Sequence, residues 1–109
     1  MEEKLLKIIN NYGIANQLRK FNEESFELQE AILYREHPTD IGRPLRDMSA
    51  RLNNKVSPDI EHITEEIADV MVMLKQFQYY YEIEDKEIEE VMKFKIERQL
   101  NRIKGVDDE

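Results

Sequence analysis

Apolar residues recur along this chain at steps of three, four and seven, the spacing of a helical face. Leu18, Phe21, Leu28 and Ile32 fall on one stripe and predict a long helix over residues 14–36, ended by Pro38. The pattern is clearest further on. Ile60, Ile63, Ile67, Val70, Leu74, Phe77 and Tyr81 predict a helix over 58–81, with Ser57 as N-cap and Pro58 at its first position. Ile88, Val91, Met92, Ile96, Leu100 and Ile103 predict another over 86–104, capped by Asp85 and stopped by Gly105. A shorter helix is expected over residues 2–10, with a stop at Asn10-Asn11-Tyr12-Gly13. Residues 38–57 form the one irregular connecting segment. Pro44, Leu45, Met48 and Leu52 suggest a short helix inside it, and the tail 105–109 is expected to fray.

These elements predict a single all-α domain over 1–109, a bundle of about four helices. Met71, Val72 and Met73 lie off the main stripe of their helix, so cover from a partner subunit is expected.

Composition sharpens this picture. Three Gly and three Pro in 109 residues leave little room for other fold classes, and exclude a glycine-rich phosphate loop. With no Cys there is no disulfide frame, thiol nucleophile or Cys-ligated metal. No apolar run approaches the roughly 18–20 residues of a membrane span. The N-terminus, MEEKLLKIINNYG, has acids where a signal peptide has bases, so a soluble cytoplasmic domain is expected. Twenty-four acids against 16 bases give a net charge of −8, which argues against long nucleic acid.

The acids are not spread evenly. Glu24 and Glu27 stand three apart on the second helix, and Glu66 and Asp69 do the same on the third. At about 100° per residue, Glu24 and Glu66 each sit roughly 60–70° from the middle of their stripes. If the stripes pack together, two carboxylate pairs face each other across a groove. Such a set repels itself unless cations neutralise it. Mg²⁺ prefers oxygen ligands and shares its shell with phosphates, so the four are a candidate Mg²⁺ site for phosphate chemistry.

The wording around these residues resembles the MazG-like nucleoside triphosphate pyrophosphohydrolases. Tyr12-Gly13-Ile14, Gln17-Leu18, Glu23-Glu24, Glu27-Leu28 and Ala31-Ile32 are similar to that family's first metal-binding helix. Glu65-Glu66-Ile67-Ala68-Asp69-Val70 is similar to its second. The similarity covers roughly residues 12–37 and 59–104. It implies an all-α fold assembled as a homodimer or homotetramer. It implies Mg²⁺-dependent cleavage of a nucleoside triphosphate to monophosphate and pyrophosphate, with Mn²⁺ as a substitute ion. Glu24, Glu27, Glu66 and Asp69 carry over as metal ligands. Glu23 and Glu65 match the outer Glu of each pair, and Glu30 extends the acidic edge by a turn.

On the last helix the resemblance implies phosphate or sugar contacts at Lys95, Gln99 and Arg102, with Arg98 on the same face. It departs at Gln99, where the family reads Asn. It departs again in the length between Glu27 and Glu66, where the added stretch offers Arg43 or Arg46 to phosphates. The mechanism that follows activates a water, with Glu27 or Glu66 as the catalytic proton acceptor, and attacks the α- or β-phosphorus.

Other residues carry less chemistry. His62 shares a helix face with Glu66 and Asp69, but reads foremost as a surface residue of the first turn; His37 has no partner motif. Tyr79-Tyr80-Tyr81 offers a ring for stacking, with Tyr81 expected in the core or an interface. Ser49 and Ser57 have no neighbouring base. The competing function is a non-catalytic helical binding or regulatory module that keeps the bundle.

Overall fold

The computed structural model describes residues 1–36 and 58–105. Among these there are four helices and no strand: α1 (Glu2–Tyr12), α2 (Ile14–Glu36), α3 (Pro58–Tyr80) and α4 (Asp85–Ile103). The short helix expected near Pro44, its basic residues Arg43 and Arg46, and His37, Ser49 and Ser57 lie outside the described residues.

The break between α1 and α2 is narrower than expected. Asn10 and Asn11 stay helical, and Gly13 alone makes the corner, at φ 89° and ψ 152°. A side chain resists that backbone, whereas glycine adopts it freely. The Gly13 N–H closes α1 on the Ile9 carbonyl at 2.8 Å, and the Gly13 carbonyl accepts the first bond of α2 from Gln17 N–H at 3.0 Å.

α2 and α3 are antiparallel. Gln17 meets Gln76 at one end, through a 2.8 Å amide hydrogen bond, and Arg35 meets Asp59 at the other, at 4.0 Å. Phe21 and Phe77 pack edge to face between them, centroids 5.7 Å apart. α1 packs against both, burying Leu5 and Ile9.

The buried line differs from the apolar stripe expected. On α2 the buried residues are Gln17, Glu24 and Ala31, and on α3 they include Asp59, Glu66 and Met73. Each set steps by seven, as in a coiled-coil seam. Leu18 and Ile32, and Ile60, Ile67, Leu74 and Tyr81, are exposed. Phe21, Leu28, Ile63, Val70 and Phe77 are half-buried beside the seam. Tyr81 is therefore not core within one chain. These apolar residues lie to one side of a polar seam, so the buried line is displaced around each helix from the stripe of steps three and four.

The α3–α4 connection is closed by polar bonds. Glu82 takes a left-handed conformation, φ 57°. Ile83 N–H donates to the Gln78 carbonyl and Glu82 N–H to the Tyr79 carbonyl, both at 3.0 Å, the paired bonds of a Schellman ending. Asp85 does not act as the expected N-cap; Glu84 holds that position without a side-chain bond. The Asp85 carboxylate turns back to α3 instead, accepting from Lys75 Nζ at 2.7 Å, Gln78 Nε2 at 2.7 Å and Tyr79 Oη at 3.2 Å.

Beyond that turn α4 buries none of its residues. Its apolar stripe, Val91, Met92, Ile96 and Leu100, is exposed, and so is Phe94 on the opposite side of the helix, by 64%. The radius of gyration is 18.3 Å, against about 13 Å for a compact domain of this length. α1–α3 form the packed body, and α4 extends from it. No described helix is long and apolar enough to cross a membrane.

Candidate metal centre

The antiparallel pairing of α2 and α3 brings E-x-x-E level with E-x-x-D. One oxygen from each of Glu24, Glu66 and Asp69 lies within 4.8 Å of the other two. Glu24 and Glu66 are buried in the seam, whereas Asp69 is exposed at its edge. The sequence places Glu24 and Glu66 at stripe boundaries; the seam passes through those positions and buries them.

The electrostatics are unfavourable without a cation. The Oε2 atoms of both Glu24 and Glu66 are buried and accept no hydrogen bond. An uncompensated buried acceptor costs about 1–3 kcal/mol, more when charged. Burial pushes the Glu66 carboxyl above its ordinary range, and the charges of Glu27 and Asp69 add to it. Asp69 is also pushed up, first by burial and then by the charge of Glu24. A cluster of oxygen acceptors with orphaned buried atoms suits a hard divalent cation in donor type and charge. By that test Glu24, Glu66 and Asp69 fit Mg²⁺ or Mn²⁺.

Glu27 enters from one side. With Glu30, Ala31, Tyr34, Asp59, His62 and Glu66 it lines an open cleft of about 680 Å³. That is within the usual size of small-molecule sites. His62 is largely exposed, its Nδ1 3.9 Å from Glu66 Oε1. Glu23 is exposed and 4.0 Å from Lys20, at the rim of the pocket where α1, α2 and α3 meet. Glu65 stands close enough to Asp69 to raise its pKa.

Two residues at the site escape the sequence argument. Lys20 Nζ lies 3.0 Å from Glu24 Oε1, and the hydrogen bond and charge of Glu24 raise the lysine's pKa. Its position four residues before Glu24 was a signal for the contact. Asp59 is buried in the cleft wall near Arg35. It stands seven residues before Glu66, visible only once the seam is known to step by seven.

Lys95, Arg98, Gln99 and Arg102 come together on α4 around a small hollow of about 110 Å³. Among the described residues, the carboxylate cleft is lined by α2 and α3. Tyr79 is engaged with Asp85 and Lys75, and Tyr80 packs edge to face on Tyr81, so the tyrosine run braces the α3–α4 turn.

Comparison with known proteins finds no matching family model, no matching curated protein and no matching solved structure.

Proposed function

We propose that this chain is a Mg²⁺-dependent nucleoside triphosphate pyrophosphohydrolase of the MazG-like type, releasing a monophosphate and pyrophosphate. The observation that carries this reading is the three-carboxylate cluster with two orphaned buried oxygens, beside a cleft of nucleotide size. A bundle held together by packing alone gains nothing from burying Glu24 and Glu66 against each other.

Glu24, Glu66 and Asp69 would hold the metal, with Glu27 joining from the cleft. A bound Mg²⁺ supplies charge neutralisation for the triphosphate and acidifies a coordinated water. Glu27 lies in the cleft outside the triad and would accept a proton from an attacking water; Glu66, which belongs to both triad and cleft, is the alternative base. Lys20 offers a cation at the cluster for a phosphate oxygen.

Lys95, Gln99, Arg102 and Arg98 stand on a helix none of whose described residues is buried. We assign them to the phosphate or sugar of a substrate bound in a homo-oligomer, where the exposed face of α4 packs on a second copy. The assembly is a dimer or tetramer and acts in the cytoplasm.

The test is incubation with a panel of nucleoside triphosphates and Mg²⁺, with products separated by chromatography. Monophosphate and pyrophosphate are expected. Diphosphate and orthophosphate would contradict the reaction type. Glu24→Gln and Asp69→Asn are expected to lower turnover at least about 100-fold with the helical circular dichroism unchanged; wild-type rates would remove the metal assignment.

A further inference from the structure

The Gln17–Gln76 pair is an oddity of the body. Both side chains are buried, Gln17 6% and Gln76 1% exposed. Their mutual bond uses one donor and one acceptor. Gln17 Nε2 donates to Gln76 Oε1, and the Gln76 amide nitrogen, among the described residues, meets the Met73 sulfur at 3.8 Å, a weak acceptor. Two apolar side chains there would hold the helices equally well, because replacing both partners of a buried hydrogen bond is close to neutral. Packing alone therefore does not account for the pair.

The two glutamines line a pocket of about 570 Å³ where α1, α2 and α3 meet. Its walls include Tyr12, Val72 and Met73, and Lys20 stands in its lining while also bonding Glu24 of the carboxylate cluster. Tyr12 is exposed, so its ring is available to a flat ligand. An apolar pocket with an aromatic wall and a buried amide pair matches a nucleobase, which stacks through its faces and hydrogen-bonds through its edge. Gln17 and Glu24 lie on one line of α2, two turns or about 10.5 Å apart. A nucleoside with its first phosphate bridges a gap of that order.

We propose that this pocket receives the base of the nucleotide, and that Gln17 and Gln76 read its hydrogen-bonding edge while Lys20 meets its first phosphate. The proposal rests on the triphosphate reading of the neighbouring carboxylates and adds where base preference arises. A site built to hydrogen-bond its ligand rejects analogues far more strongly than an apolar one.

The test compares the wild-type protein with the double variant Gln17→Met, Gln76→Met, using ATP, GTP, CTP and UTP with Mg²⁺. In parallel, the four nucleoside 5′-monophosphates are titrated into the wild-type protein and followed by NMR. The wild type is expected to prefer one base. The double variant is expected to keep the melting-temperature rise with Mg²⁺, and to lose about tenfold or more of that preference with a raised KM. The preferred monophosphate is expected to shift the resonances of Tyr12, Gln17 and Gln76. A folded double variant with unchanged preference and KM overturns the proposal and leaves the enzyme intact; a role in helix register alone gives that result. Monophosphates that shift only residues elsewhere also overturn it, even if the double variant does not fold. A wild type with neither Mg²⁺ response nor turnover removes the phosphate site, and the base pocket with it.

Discussion

Glu66 carries the tension of the site. It is buried, one of its oxygens has no donor, and burial with the charges of Glu27 and Asp69 holds its pKa up. For a carboxyl with a raised folded pKa, the stabilising contribution is complete below its unfolded value. It is lost as pH rises through the folded value. The metal-free protein is therefore expected to lose melting temperature as pH climbs from about 4 towards neutrality, and Mg²⁺ at pH 7.5 to restore it. Glu66→Gln removes the buried charge and adds a donor for Glu24 or Asp69. Without metal it is expected to melt about 4 °C or more above wild type, to show a shallower fall with pH, and to respond little to Mg²⁺. A scanning-fluorimetry series across pH and metal checks all three; a variant less stable than wild type without metal would contradict the strain inferred at Glu66.

At the scale of elements, two short connections set how the helices meet. Gly13 makes the α1–α2 corner with a backbone that side chains resist, and a Cβ there would touch nothing within 4 Å. The cost of Gly13→Ala is thus torsional, expected at about 1–3 kcal/mol in urea denaturation. At the other turn Glu82 holds a left-handed position usually given to glycine. Glu82→Gly is expected to stabilise by a few tenths to about 1 kcal/mol, since the turn's bonds are backbone bonds. The Lys75 and Gln78 hydrogen bonds, first among the causes, lower the Asp85 pKa. Its contribution is present above the unfolded value and lost as pH falls through the folded one. Asp85→Asn is accordingly expected to lower the melting temperature at pH 7, with the difference shrinking as pH falls below 3.8. Helix positions were legible because Pro38, Gly13 and the 57–58 start leave few alternatives. The inward faces were not, because Gln17, Glu24, Asp59 and Glu66 are polar residues in a buried seam.

For the whole molecule, the question is what covers α4. Ile67, Met71 and Leu74 on α3, and Met92 and Ile96 on α4, are exposed apolar residues that a second copy could cover. The proposed oligomer predicts a mass of at least a dimer by light scattering at micromolar concentration. Met92→Glu with Ile96→Glu is expected to shift that mass towards the monomer and, if the α4 of a second copy completes the site, to reduce turnover without abolishing the Mg²⁺ response. A monomeric wild type would sink the assembly and leave the carboxylate cluster, which one chain forms alone.

The class of the fold, the approximate helix bounds and the two acidic pairs follow from the order of residues along the chain, because helical period and helix-breaking residues are local properties. That order also places Lys95, Arg98, Gln99 and Arg102 on one face, since that too follows from 3.6 residues per turn. The burial of Glu24 and Glu66 but not of Ile60 and Ile67, and the bond from Lys20 to the cluster, arise from packing between helices. The same packing makes Asp85 the tie between α3 and α4 in place of a cap. Those outcomes depend on which side of each helix meets its neighbour. That choice sets an apolar stripe against the polar seam beside it, and no single helix carries the information to make it.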